Sequence, residues 1–466
     1  MKIRNRITKL SLRRENASVL IIVLWISIGL VSIALYFAHS MTFELRASDN
    51  RTAGLEAEQA IDGGARYVNY VLSNFGTNGV VPDPTTYQRE AVPVGQAMFW
   101  LIGRSDRQKD TPAEPFFGLV DEASKLNLNT ATTNMLEMLP RMTPELAAAI
   151  MDWRDSDSDV SLGGAESETY NRLQPAYNCK NAPFETVDEL RLVYGATLDI
   201  LYGEDANLNG VLDLNENDGP LSLPDDNRDA RLDPGILEYV TVYSRQPNLT
   251  ATRTNVNTAA QITNLLSQVF GASRARQIAR NAGFVSTPGG GGGGPNPPGT
   301  TTPNFPSLLD FYITSQMTAD EFLQIATNLC TTNVVVDGLI NVNTAGVEVL
   351  ACVPGIGTQY AQPLVAYRQS NPNNLYSIAW VMQVLDSSSA RQAGRYLTTE
   401  SYQFSADIAA VGHYGRGYRR TRFVFDTSDG TPRILYRQDL TRLGWALGNS
   451  TRQRLPMLLA NATQRR

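Results

Sequence analysis

Histidine is nearly missing from this 466-residue chain, which has only His39 and His413. That scarcity removes the usual general base of acyl-transfer chemistry and the commonest nitrogen ligand of transition metals. Cysteine is scarce too: Cys179, Cys330 and Cys352 form no CxxC pair and no Cys/His metal spacing. A disulfide-built scaffold and a zinc site are thereby excluded, and the odd count leaves at least one thiol free or intermolecular. No nucleophile, base and acid set is recognisable, so the chain reads as a non-enzyme with no catalytic residue. Positive charge is also short, the formal net charge being −6. An acidic chain is a poor partner for nucleic acid, whose binding rests on cationic contacts.

What is present begins with a contrast. A basic leader, residues 1–17, carries Lys2, Arg4, Arg6, Lys9, Arg13 and Arg14, and meets the charge-free run SVLIIVLWISIGLVSIALYFAHSMTF at residues 18–43. A bilayer core of ~30 Å needs ~20 apolar residues in a helix, and this run supplies them. Positive charge stays on the cytoplasmic side, so the leader is placed inside and the rest of the chain outside. Six bases and one acid make the leader +5, leaving the exported remainder near −11. A cleaved secretory signal has a shorter apolar stretch and small residues at its exit, whereas Tyr36-Phe37-Ala38 fits poorly. A buried soluble helix seldom dispenses with charge for so long, and no cysteine follows for lipid attachment. The run is read as a retained single span.

The junction Arg13-Arg14-Glu15-Asn16-Ala17 against Ser18-Val19-Leu20 resembles the leader of type IV prepilins and pseudopilins, which prepilin peptidase cuts on the cytoplasmic side. The expected cut is Ala17/Ser18. Such leaders usually have Gly before the cut and Glu at mature position five; here Ala17 and Ile22 stand there. A carboxylate in lipid is costly without a partner such as a neighbouring subunit's N-terminal amine. Ile22 therefore suits a subunit with none ahead of it, at a filament tip; as an ordinary anchor residue it would simply face lipid.

Beyond the span, Ala60, Ala65, Val68, Val71, Leu72 and Phe75 keep three-to-four spacing, which predicts one helix from Ser18 to about Phe75, with Gly63-Gly64 as a soft point and Gly76 as its stop. AMFWLIGRSD and PFFGLVDEASKLNLN read as strands. Near the end, Arg420 to Asp426 alternates, Asp429-Gly430 turns, and Arg433 to Tyr436 returns as a hairpin. Arg419, Arg420 and Arg422 are expected to form a solvated basic strand face.

Between these sections, roughly residues 127–400, the chain repeats itself. Asn127-Leu128-Asn129-Thr130-Ala131, Asn255-Val256-Asn257-Thr258-Ala259 and Asn341-Val342-Asn343-Thr344-Ala345 each precede an apolar helix, with Asn or Thr expected as N-cap. Copies one and three share Ala147, Ile150, Arg154 and Ala361, Leu364, Arg368. Each copy later shows Phe184-Glu-Thr-Val187, Phe305-Pro-Ser-Leu308 or Leu375-Tyr-Ser-Ile378. A Gly/Pro loop, residues 286–304, is read as flexible. In copy three, Val353-Pro354-Gly355-Ile356-Gly357 looks like a helix-hairpin-helix turn, whose DNA-binding members hold phosphate on glycine amides. No Lys or Arg follows until Arg368, so structural packing is the preferred reading.

The sharpest chemical motif is Asp205-Ala-Asn207-Leu-Asn209-Gly210-Val211-Leu-Asp213-Leu-Asn-Glu216, a complete D-x-[DN]-x-[DN]-G-x5-E loop. Asp205, Asn207 and Asn209 would surround one calcium ion, Val211 would add its carbonyl, Asp213 would act through water and Glu216 would bind through both oxygens. A second run, Asp225, Asn227, Asp229, the Arg231 carbonyl and Asp233, repeats the beginning. It has Ala230 where Gly is wanted and Ile236 where Glu is wanted, so its last ligand would come from elsewhere, with Glu238 as the candidate.

The leader junction, the Glu-less first helix, the LNLNTA motif after a strand, the helical insertion and the returning hairpin together resemble the K-type minor pseudopilins of type II secretion, across nearly the whole chain. The resemblance implies an α+β fold: a pilin-like long N-terminal helix with an antiparallel sheet, interrupted by a large all-α insertion of helix-hairpin-helix or SAM-like repeats. The expected organisation is leader 1–17, span 18–43, remaining helix and first strands 44–126, insertion 127–400 with calcium segment 203–236, returning strands 401–447 and tail 448–466. It further implies cleavage and methylation by prepilin peptidase, an inner-membrane anchor with a periplasmic body, other minor pseudopilins and the inner-membrane secretion platform as partners, and calcium in the insertion. The implied function is to start or cap the pseudopilus at its tip in support of protein export. The alternative is a membrane-anchored DNA-uptake protein using its helix-hairpin-helix.

Overall fold

The computed structural model describes residues 15–104, 115–284 and 303–464. The basic leader up to Arg14 and most of the Gly/Pro loop lie outside the described residues. One uninterrupted helix, α1, runs from Glu15 to Phe75, a length of ~90 Å at the α-helical rise. From Val19 to His39 every side chain is exposed, as a lipid-facing stretch requires. The last third instead buries Ala57, Ala60, Ile61, Ala65, Val68, Val71 and Leu72 against a sheet. The helix stops where the Gly76 amide donates to the Leu72 carbonyl (3.0 Å). Gly63 and Gly64 do not soften it. A Cβ on Gly64 would meet Ile408 at 3.0 Å and Phe99 at 3.3 Å, and one on Gly63 would meet Val94 at 3.3 Å, so the pair lets helix and sheet approach closely.

The sheet has six strands: β1 (Val92–Val94), β2 (Ala97–Ile102), β3 (Val120–Asp121), β4 (Gln403–Val411), β5 (Arg419–Asp426) and β6 (Arg433–Asp439). Their order is β1-β2-β4-β5-β6, with β3 pairing the start of β4, and all pairings are antiparallel. In β4 alternation divides the faces: Phe404, Ala406, Ile408 and Ala410 meet α1, while Ala409 and Val411 join Met98, Trp100, Ala446 and Leu447 on the far side. That far side is closed by the C-terminal helix Gly448–Gln464, a segment expected to be a tail.

The insertion leaves the sheet after β3 and re-enters it at β4, around a separate core that runs from Leu126 to Leu397. Asp121 ties both ends of this excursion. Its carboxylate accepts from Ser401 Oγ (2.6 Å), Thr344 Oγ1 (2.5 Å) and Asn341 Nδ2 (3.2 Å). Burial pushes that carboxyl up to about 6.

Each repeat is closed by a two-residue parallel pair: Leu126–Asn127 with Val240–Thr241, Thr254–Asn255 with Leu329–Cys330, and Ile340–Asn341 with Leu397–Thr398. The asparagines are not N-caps. Asn127, Asn255 and Asn341 accept from the amide two residues on (2.8–2.9 Å), an Asx-type turn. Asn129, Asn257 and Asn343 reach across to the carbonyls of Phe184, Phe305 and Leu375 (3.0–3.1 Å), the starts of the three closing segments. Arg154 and Arg368 each hold two carbonyls of their own copy's motif, Leu128 and Ala131 in one case, Val342 and Ala345 in the other. In copy two the helix pair Ala259–Asn281 bends at Gly271, φ 74°.

The expected basic face on β5 is only partly there. Arg419 is exposed, but Arg420 is fully buried and pairs with Asp407 on β4 (2.6 Å), because the insertion covers that face.

A second contact fastens α1 just beyond the span. His413, buried in the turn between β4 and β5, lies between Glu56 (Nδ1, 2.7 Å) and Asp49 (Nε2, 2.9 Å), while Arg416 pairs with Asp49. Arg419 lies alongside at Gly54, and the Tyr414 ring packs edge-on against the imidazole. The bond to Asp49, then that to Glu56, raise the imidazole above its usual value. A raised histidine contributes stability in full below its unfolded value near 6.5 and loses it as pH climbs through the folded value. Amide protection along residues 46–58, taken relative to the intrinsic exchange rate at each pH, is therefore expected to fall several-fold as pH rises above 7, and to lose most of that dependence in His413→Gln.

Candidate metal centre

The segment 205–216 follows the short helix Leu198–Tyr202, which ends at Gly203 with φ +60°. Asp205 and Glu216 are fully buried, Asn209 nearly so. The Asp205 carboxylate accepts from the amides of Asn209 (2.9 Å) and Gly210 (2.8 Å). Glu216 closes the loop from the other end, accepting from Ala206 (3.0 Å) and Asp213 (2.9 Å). Asp213 Oδ2 takes the amide protons of Asn207 (2.7 Å) and Asn209 (3.0 Å). Gly210 at the sixth position has φ +70°, the left-handed turn for which glycine is wanted there. The sequence motif thus folds into one hydrogen-bonded loop that carries Asp205, Asn207, Asn209, Asp213 and Glu216, with its three carboxylates not converged at metal-ligand spacing.

Its electrostatics are those of a buried acidic loop. Burial, followed by the charge of Asp205, pushes Glu216 up to about 8. Burial also raises Asp205, against which Arg104 acts. The Asn207 Oδ1 is buried with no hydrogen-bond partner. Among the described residues no three His, Cys, Asp or Glu side chains stand together at metal-ligand spacing. This loop instead combines carboxylates with amide oxygens, the hard donor set that suits calcium. Its residues fit that ion: the orphaned Asn207 oxygen and the two raised carboxyls are what a divalent cation would relieve.

The second run is built differently. Asp225, Asn227, Asp229, Arg231 and Asp233 are all exposed, with Asn227 and Asp229 in a 3.3 Å contact. Ala230 does adopt φ +61°, a conformation costing an L-residue about 1–2 kcal/mol. The inward carboxylate here is Asp226, which accepts from Asp218 (2.8 Å) and Gly219 (2.7 Å). Glu238 is not the missing ligand. It pairs with Arg104 (2.6 Å) beside the first loop. The acid facing the second run is Glu204, buried and accepting from the Asp233 amide (3.1 Å); it precedes position one of the first loop and so falls outside both motifs.

A third oxygen-rich segment went unread in the sequence. Asp155, Asp157, Asp159 and Glu166 keep the same twelve-residue spacing, but with Val160 at the sixth position. Asp152 is fully buried and Glu166 nearly so, and Glu166 Oε1, Asp155 Oδ1 and Asn181 Oδ1 are buried without partners. Gly164 is required there, because any Cβ would strike the Asp152 carboxylate. The signal that could have found it is the Asp-x-Asp-x-Asp run with Glu seven residues later.

The helix-hairpin-helix turn is present, with Gly355 and Gly357 at φ 88° and 58°. Arg368, the one basic residue of the following helix Gly357–Ser370, is buried on the Val342 and Ala345 carbonyls. This helix presents no cation to a phosphate.

Comparison with known proteins bears out the family resemblance. A family model described as type II secretion system (T2SS), protein K matches residues 120–202, and a helix-hairpin-helix motif model matches residues 335–374. Type II secretion system protein K of Aeromonas hydrophila is 29% identical over 203 residues, 40% of this chain and 61% of that protein. Its counterpart in Klebsiella pneumoniae is 42% identical over 66 residues, 14% of this chain and 20% of that protein. The chain thus spans less than two thirds of these curated relatives. A solved structure of the GspK-GspI-GspJ complex from the type 2 secretion system of enterotoxigenic Escherichia coli aligns with a TM-score of 0.40 at 10% identity, covering 85% of this chain and 99% of that one.

Proposed function

We propose that this chain is a minor pseudopilin of a type II secretion system, seated at the pseudopilus tip together with other minor pseudopilins. The reading is carried by α1: one helix that is bare and apolar over its first part and packed on an antiparallel sheet over its last third. Such a helix can lie in the inner membrane and later pack among identical stems without refolding. The family match over residues 120–202 begins at β3, where the insertion departs. A helical body of this size emerging beside the stem would block addition of a further subunit above it, and Ile22, exposed in the apolar stretch, asks for no partner ahead. On this reading the leader is cytoplasmic, Ala17/Ser18 is cut and methylated by prepilin peptidase, and the body is periplasmic.

Calcium belongs to the same proposal, held by Asp205, Asn207, Asn209, Asp213 and Glu216 with the Val211 carbonyl, and its role is to stiffen an irregular connection. The run Asp225 to Asp233, with all its ligands exposed, is the weaker of the two loops. The buried Arg368 removes support from the DNA-uptake alternative. The proposal is tested by purifying the tagged chain from detergent-solubilised membranes: other minor pseudopilins should accompany it.

A further inference from the structure

We infer that Arg420 is the positioning residue of the loop 205–216 and couples calcium occupancy to the sheet. The inference rests on the calcium reading of that loop and concerns how the site is held. Arg420 projects from β5, is fully buried and spends its guanidinium in two directions. Nε and Nη2 grip Asp407 of β4 (2.8 and 2.6 Å), while Nη1 donates to the Asn207 carbonyl and Nη2 to the Leu208 carbonyl (2.7 Å).

Those two carbonyls lie between the first and third side-chain ligands, Asp205 and Asn209. For the side chains of 205, 207 and 209 to converge on one side, the intervening carbonyls must be turned away and satisfied elsewhere. Leu208 accordingly adopts φ +53°, and its carbonyl is taken by a second guanidinium, Arg104 Nη2 (3.0 Å), just past β2. Asn207 Nδ2 adds a bond to the Trp445 carbonyl (3.2 Å). The loop is therefore seated on the sheet from outside the metal site. Only a planar fork can grip a carboxylate and two carbonyls at once. Lysine keeps the charge but not that geometry.

Coupling is reciprocal: if the Arg420 grip shapes the loop for calcium, calcium must in turn stabilise the grip and the strands carrying it. The full chain in detergent micelles is titrated with calcium chloride, with bound ion counted by equilibrium dialysis and amide exchange of β4 and β5 followed with and without calcium. Glu216→Gln should lose one calcium ion per chain. Arg420→Lys and Arg104→Lys should keep the wild-type number but bind it about tenfold more weakly, and the slowing of exchange that calcium causes in wild-type β4 and β5 should vanish in Arg420→Lys.

Loss of packing alone would speed exchange with and without calcium alike and leave the affinity unchanged. That result, with Glu216→Gln still losing its ion, overturns the positioning role and leaves the calcium reading standing. A Glu216→Gln chain that binds as many ions as wild type overturns both. If Arg420→Lys does not fold, Arg104→Lys decides by the same affinity measurement, since its bond to Leu208 is independent of the Asp407 pair.

Discussion

Asp407→Ala is expected to lower the unfolding free energy of the body by about 3–5 kcal/mol, the cost of removing one partner of a buried ion pair. Asp407 is 3% exposed and Arg420 is 0% exposed, so the orphaned guanidinium cannot turn to water. Burial would raise the Asp407 carboxyl, but Arg420 outweighs it and holds the group below its ordinary value. Asp407→Asn keeps an acceptor in place and should lose less, about 1–3 kcal/mol. Urea midpoints of the purified chain, followed by tryptophan fluorescence, measure both. Equal losses would mean that the charge carries the whole effect and that the shape and acceptor kept by asparagine contribute nothing.

The second large effect is expected at Asn343. Its side chain donates to the Leu375 carbonyl (3.1 Å) and accepts from Trp380 Nε1 (2.9 Å), and Trp380 stacks on Tyr367 at 5.5 Å. Asn343→Ala leaves the Trp380 indole N–H and the Leu375 carbonyl, both part-buried, without this partner, at about 1–3 kcal/mol each. A loss of about 2–5 kcal/mol should follow, with faster amide exchange confined to residues 340–398. Asn343→Asp, which keeps an acceptor for the indole and loses the donor to Leu375, should fall between. A uniform change in exchange over the whole chain would contradict the view that each repeat is latched by its own asparagine.

These two sites illustrate what the sequence could and could not reveal. The stem was legible because its three-to-four spacing is local, and the hairpin because its alternation and turn residues are adjacent. The three Asn-x-Asn-Thr-Ala motifs were visible as repeats, yet the work of their asparagines was misassigned. N-cap and Asx turn use the same residue type, and what decides between them is a partner 32 to 55 residues further on. Arg420 was misplaced for a related reason. Strand alternation says which residues share a face, not what covers it, and here the cover is Asn207 and Leu208, more than 200 residues earlier. The loop 205–216 was readable because its oxygen-bearing residues are contiguous. Glu204 and the Asp155 to Glu166 segment were missed because one lies outside the pattern and the other lacks its glycine.

On the proposed reading, α1 and the sheet make this chain a filament subunit that works beside other minor pseudopilins. The most direct test expresses the tagged full chain in a bacterium with an intact type II secretion system, solubilises the membranes in mild detergent and identifies what co-purifies. The expected result is recovery of the other minor pseudopilins in stoichiometric amounts, lost when Gly64→Leu wedges α1 away from Ile408 and Phe99 while the variant remains in the membrane. Recovery of the chain alone, or with duplex DNA in place of pseudopilins, would contradict it.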